Sequence, residues 1–129
     1  MIGLSMSYIG IPYMFQRASF NGCDCWGLVR LFFSRELEIS LPDFGISENT
    51  PNQIEEKVLC ELNNFDEVPL DRARPYDLLL FNVAGQPIHI GMALDNRFML
   101  HSLQGHNSCV ENFRKNKWSI RTVGAYRWK

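Results

Sequence analysis

Counting from Cys25, apolar residues recur at Leu28, Val29, Phe32, Phe33 and Leu37, while Arg30, Ser34, Arg35 and Glu38 fall between them. Steps of three and four mark an amphipathic helix with one buried face. Asn21-Gly22 reads as a loop ahead of it and Asp24 as its N-cap, because a short side-chain oxygen accepts the first free backbone N–H groups. Cys25 then falls in the first turn. A second start signal is Thr50-Pro51-Asn52-Gln53, with a capping side chain, proline at the first helical position and glutamine closing a capping box. It predicts a helix running to about residue 63. Beyond it the texture changes to short β-like runs at 76–83, 87–94, 97–103 and 123–128, with turn signals at Ala84-Gly85 and Asp95-Asn96 separating the first three. Helices first and a meander of antiparallel strands afterwards predict an α+β fold, with the Cys25 helix packed across a C-terminal antiparallel sheet.

A chain of 129 residues is long enough for one respectable core, so a single domain over 1–129 is expected. With 46% hydrophobic and 21% charged residues, it has the composition of an ordinary globule. The net charge is only −1, and Lys and Arg are scattered along the chain, which leaves no basic stripe for nucleic acid. Residues 1–10 carry neither the basic run nor the apolar stretch of a secretory signal, and no run is long enough to span a membrane. The expectation is synthesis in the cytoplasm without membrane insertion. Four cysteines, at 23, 25, 60 and 109, are then expected to be reduced thiols.

A thiol attacks as thiolate, and the first turn of a helix favours negative charge through its free N–H groups and dipole. Cys25 stands there. A partner base needs a pKa near neutrality, and only His89, His101 and His106 offer one. His89 lies in an apolar run where its ring can project toward the helix. His101 lies 12 positions on, across the Asp95-Asn96 turn, where hairpin pairing brings the two side by side. His101 then hydrogen-bonds the far nitrogen of His89 while the near nitrogen takes the thiol proton. The backbone N–H of Cys25 supplies part of an oxyanion hole.

Each residue alone has a plainer reading: a cysteine at a helix start is usually a small buried hydrophobe, and a histidine in a sheet is usually satisfied by carbonyls. The combination is what selects catalysis. His106, in a Gly-Asn loop, reads as exposed. Two groups, His101/His106/Cys109 and Cys23/Cys25, raise a metal reading, but neither has the paired spacing of zinc sites, and C-x-C is not the redox C-x-x-C. No metal or cofactor is expected.

Four segments, Ile9-Gly10-Ile11-Pro12-Tyr13, Asp24-Cys25-Trp26-Gly27-Leu28-Val29, His89-Ile90-Gly91-Met92-Ala93-Leu94 and His101-Ser102, occur in an order that resembles the NlpC-type, papain-like cell-wall peptidase family. The likeness covers nearly the whole chain. It is strongest to the phage-associated branch, where D-C-W-G-L-V-R is followed by an L-P-D segment, here Leu41 to Asp43. Three departures stand out: Phe15-Gln16-Arg17 replaces W-G-G, Trp26 replaces a common serine, and Tyr76 precedes Asp77 where glycine is usual.

The resemblance implies hydrolysis of the D-γ-glutamyl to diamino-acid bond in peptidoglycan stem peptides. It implies Cys25 as nucleophile, His89 as general base and then acid, and His101 as its orienter. It further implies that Tyr13 helps bind substrate or oxyanion and that Asp24 holds the substrate's amino end; Trp26, as a departure from the pattern beside the expected cleft, is expected to block a subsite or stack on one. Relatives of that branch are tail-tip or tail-assembly peptidases, which implies tail-tip or hub proteins as partners, a place in the virion and action on the wall. The rival expectation is a structural plug or hub component of a tail with incidental or lost activity.

Overall fold

The structure, a computed structural model, describes residues 4–42, 60, 62–83 and 86–129. Helix α1 spans Cys25–Glu36 and begins where its cap predicts, with Asp24 extended and its Oδ1 accepting the Gly27 N–H at 2.6 Å. It stops at Leu37, whose N–H closes on the Phe33 carbonyl, and the chain leaves through Glu38 in a left-handed conformation (φ 56°). Leu28, Val29, Phe32 and Phe33 form the buried stripe that their spacing foretells, joined by Trp26 and Leu31. The helix expected from Thr50 falls mostly outside the described residues; at its far end Leu62–Asn64 form a 3-10 turn.

A two-stranded ribbon, β1 (Ala18–Ser19) and β2 (Gly22–Cys23), leads into α1. The main sheet contains β3 (Phe65–Val68), β4 (Leu78–Val83), β5 (Gln86–Ala93), β6 (Phe98–His101), β7 (Cys109–Asn112) and β8 (Thr122–Trp128). Its order is β3-β8-β4-β5-β6-β7, and every pairing is antiparallel. The four expected strands are therefore present with bounds shifted by one or two residues, while β3, β7 and the ribbon are additions. The Ala84-Gly85 turn lies outside the described residues. At the Asp95 turn, the Asp95 carboxylate accepts the Arg97 and Phe98 N–H groups at 2.8 and 2.7 Å, which fixes the β5–β6 register.

The sheet is covered on both faces. Leu78, Leu80, Ile90, Met92 and Leu100 point to the face that α1 covers. Leu79, Phe81, Ala93 and Met99 point to the other, where Phe113 and the short helix α2 (Asn116–Arg121) add Trp118. Two buried faces explain why β4 reads as the unbroken apolar run Leu78-Leu79-Leu80-Phe81 rather than an alternating one.

Contacts between segments far apart in the chain position the site. Ser108 Oγ accepts the Ile11 N–H and donates to the Tyr8 carbonyl, at 2.8 and 2.7 Å, clamping the Gly10-to-Tyr13 segment to the loop before β7. Cys23 pairs with Tyr13 across an isolated bridge. The β5–β6 ladder covers only Gly91 to Ala93 against His101 to Met99, and Ser102, the residue after β6, turns its hydroxyl to the Cys23 carbonyl instead.

Candidate active site

Where β5 and β6 part company, the first turn of α1 comes in. Backbone N–H groups near the Cys25 sulfur, that of Ile90 on β5 foremost and those of Trp26 and Cys25 behind it, favour its thiolate. Cys25 is only partly buried, whereas Asp24 and both neighbouring histidines are buried. Desolvation, followed by the Asp24 charge, pushes the Cys25 thiol up to about 12, against the pull of those N–H groups. The helix start therefore does not by itself supply a thiolate. Asp24 is itself held in place, its Oδ1 accepting the Gly27 N–H and its Oδ2 the Gln16 N–H at 2.8 Å.

His89 sits on β5 one residue before Ile90. Its ring does not lie on the face that the body of α1 covers; it stacks on Trp118 at 5.3 Å and meets Phe81, on the opposite face. The sequence pattern pointed it toward the helix, and the difference follows from strand alternation, since Ile90 and Met92 take the helix side. His89 Nε2 lies 3.0 Å from His101 Nδ1. Gly91 makes room for this pair: it is the ladder partner of His101, and a Cβ there would come within 2.7 Å of the Met99 sulfur.

The network continues to a residue the sequence did not mark. His101 Nε2 is 2.6 Å from Glu111 Oε2, and the same oxygen accepts the Trp118 indole N–H at 3.2 Å. An indole only donates, so that oxygen is an acceptor, and the direction of the chain follows. His101 donates from Nε2 and accepts at Nδ1; His89 donates from Nε2 and keeps its Nδ1 lone pair. Burial, reinforced by His101 and Lys117, lowers His89 to about 3, and burial also lowers His101 despite Glu111. Both rings are neutral at pH 7. Glu111 was missed because β7 is four residues long and follows a loop; reading Cys109-Val110-Glu111-Asn112 as a hairpin mate of β6 would have found it.

Tyr13, whose backbone pairs with Cys23, is half-buried, and its hydroxyl is pushed above its ordinary range by burial first and then by Cys25, Asp24 and Cys23. The Cys23 thiol is buried and raised to about 11, chiefly by desolvation. Trp26 is placed differently from the other expected site residues: its ring packs in the core and its N–H donates to the Pro42 carbonyl at 2.9 Å. His106 is exposed, on the rim of an open groove with Pro12, Tyr13 and Gly105. All described cysteines are free. Among the described residues, one group of side chains has the donor atoms for a metal ion, His101, Cys109 and Glu111, within 4.8 Å of one another.

Comparison with known proteins bears on the family and the fold. The model of the NlpC/P60 family matches residues 10–127. Tail tip assembly protein K of Escherichia phage N15 is 31% identical over 114 residues, covering 82% of this chain and 45% of that protein. The chain thus spans less than half the length of that relative. Among solved structures, the NlpC/p60 domain of the peptidoglycan hydrolase SagA superposes with a TM-score of 0.63 at 20% identity, covering 92% of this chain and 88% of that one. The peptidoglycan hydrolase RipB from Mycobacterium tuberculosis gives 0.63 at 24% identity, covering 92% and 58%.

Proposed function

The chain belongs to the NlpC/P60 family, and on that footing we propose that it is a papain-like cysteine peptidase of peptidoglycan stem peptides. The observation that carries this reading is the buried His89–His101 pair at 3.0 Å, one residue along β5 from the N–H that faces the Cys25 sulfur. Residues 1–129 are read as one peptidase unit, since the family match runs through nearly all of them.

Thiol and imidazole are both neutral at rest, so the proton moves as the attack occurs. Cys25 sulfur adds to the carbonyl carbon of the D-γ-glutamyl to diamino-acid bond while its proton passes to His89 Nδ1. His101 accepts from His89 Nε2, and Glu111 from His101, so the imidazolium that forms is stabilised by a carboxylate two bonds away. The Cys25 N–H and the Tyr13 hydroxyl face the developing oxyanion. Collapse expels the amine, which takes the proton back from His89, and leaves a thioester. Water, deprotonated by His89, then releases the γ-carboxylate and the thiol. Asp24, buried directly before Cys25, is the acidic group offered to the substrate's amino end.

Digestion of purified diamino-acid peptidoglycan followed by mass spectrometry of the products tests activity and bond together. Free stem fragments are expected from the native protein and none from Cys25→Ala or His89→Ala; unchanged release by either variant removes that residue from the mechanism.

The similarity to a tail tip assembly protein supports a second role, as a component of a phage tail with tail-tip or hub proteins for partners and the virion as its location. Among the described residues no helix is long and apolar enough to cross a membrane. A Cys25→Ala virion that assembles but infects poorly through intact wall favours the enzyme; one that fails to assemble favours the scaffold.

A further inference from the structure

Strands β6 and β7 place three different ligand chemistries around one point. His101 and Cys109 are direct ladder partners, and Glu111, two residues on, emerges on the same face. Cys109 Sγ is 3.7 Å from His101 Nε2, and Glu111 Oε2 is 2.6 Å from the same nitrogen. The cluster borders a cavity of about 210 Å³ whose other walls include His106, Asn107 and Lys117. We propose that His101, Cys109 and Glu111 form a binding site for a thiophilic divalent cation, zinc or cadmium, and that filling it switches off the His89 base.

The geometry fits the ion. A tetrahedral zinc with ordinary bond lengths separates a sulfur and a nitrogen ligand by about 3.6 Å, and a nitrogen and an oxygen by about 3.3 Å. The first value is already met; bringing the carboxylate, which lies within 4.8 Å of the other donor atoms, to its place needs a rotation of Glu111, whose side chain is 40% exposed, away from the Trp118 indole. Three protein ligands leave the fourth position to water or to His106 from the cavity. Lys117, on the wall of the same cavity, opposes a cation; a thiolate and a carboxylate together neutralise a divalent charge and offset it. Spacing along the chain does not reveal the site because its ligands are joined by a strand ladder instead of a short loop or a helix turn.

The consequence for the base follows from proton positions. Cys109 gives its thiol proton to solvent and binds as thiolate. The metal takes the lone pair of His101 Nε2, so the single proton of that neutral ring moves to Nδ1. That nitrogen now donates where it accepted. His89 Nε2 must become the acceptor, its own proton shifts to Nδ1, and the lone pair that would receive the thiol proton is gone. Substrate still binds; turnover stops.

The site stands apart from the peptidase reading, but its inhibitory effect rests on it, so the test separates them. Cadmium is titrated into the native protein, Cys25→Ala, Cys109→Ser and Glu111→Gln, following the ultraviolet thiolate-to-cadmium charge-transfer band and the metal retained per chain. Native protein and Cys25→Ala are expected to bind one ion with equal affinity. Cys109→Ser loses the band, and Glu111→Gln binds at least tenfold more weakly. With peptidoglycan as substrate, zinc lowers kcat with KM unchanged, a chelator restores it, and Cys109→Ser needs at least tenfold more zinc relative to its own metal-free rate. No stoichiometric binding, or binding that survives Cys109→Ser but is lost in Cys25→Ala, overturns the proposal. Binding by a protein with no hydrolase activity leaves the site intact and defeats the peptidase reading instead.

Discussion

Asp24 serves two ends that oppose each other. As N-cap it starts α1 and pins Gln16; as a charge it raises the Cys25 thiol. Asp24→Asn retains a capping oxygen and removes the charge, so the pH dependence of Cys25 alkylation should move to lower pH while KM for stem peptide rises. An unshifted alkylation profile would show that desolvation alone sets the thiol. His89 carries a stability signature of its own. Its folded pKa, about 3, lies below the unfolded value of about 6.5, so the unfolded chain binds the extra proton in that window. The contribution is complete above pH ~6.5 and is lost as pH falls toward 3, amounting to a few kcal/mol at most. Urea unfolding from pH 7 to 4 should therefore be steeper in pH for the native protein than for His89→Gln; equal slopes would place the titration elsewhere. The places of Cys25 at a helix start and of His89 and His101 on neighbouring strands were legible in helix and strand periodicity. The bond from His101 to Glu111 was not, because it depends on a four-residue strand reached through a loop of seven, where local pattern carries little weight.

At the scale of elements, the departures from the family's glycines acquire a physical meaning. Gln16 and Tyr76, which stand where the family has glycine, both have left-handed backbones, at φ 62° and 77°. Gln16→Gly should stabilise the fold by about 0.5–1 kcal/mol, the strain relieved less the added freedom of the unfolded chain. Tyr76→Gly should gain less, because it also gives up the ring contact with Phe32 at 5.7 Å. Urea midpoints of the two variants check the order. Gly27 is the opposite case: it packs so closely on the Arg17 carbonyl that a Cβ would overlap it, and Gly27→Ala should unseat the start of α1. The cap, the buried stripe and the Asp95 turn were readable because each rests on neighbours in sequence. The face on which His89 emerges was not, since it depends on which side of the finished sheet α1 occupies.

For the molecule as a whole, Asp77 is the main polar junction. Its buried carboxylate accepts from Arg127 Nε and Nη2 at 2.9 and 2.8 Å and from the Arg74 N–H, joining β8 to the turn before β4. Arg127→Met leaves that carboxylate uncompensated and should cost about 3 kcal/mol, the low end for such a loss because the arginine is part-exposed. A drop in the urea midpoint with an unchanged m-value is the expected result. The place of β8 between β3 and β4 has a further consequence for biosynthesis. Phe65 finds its mate in Trp128, and β4 finds one of its two only in β8. A nascent chain therefore displays an open β4 border until β8 emerges from the ribosome, so a stall before Thr122 would present a sticky template, and chaperone dependence should be greatest at that stage.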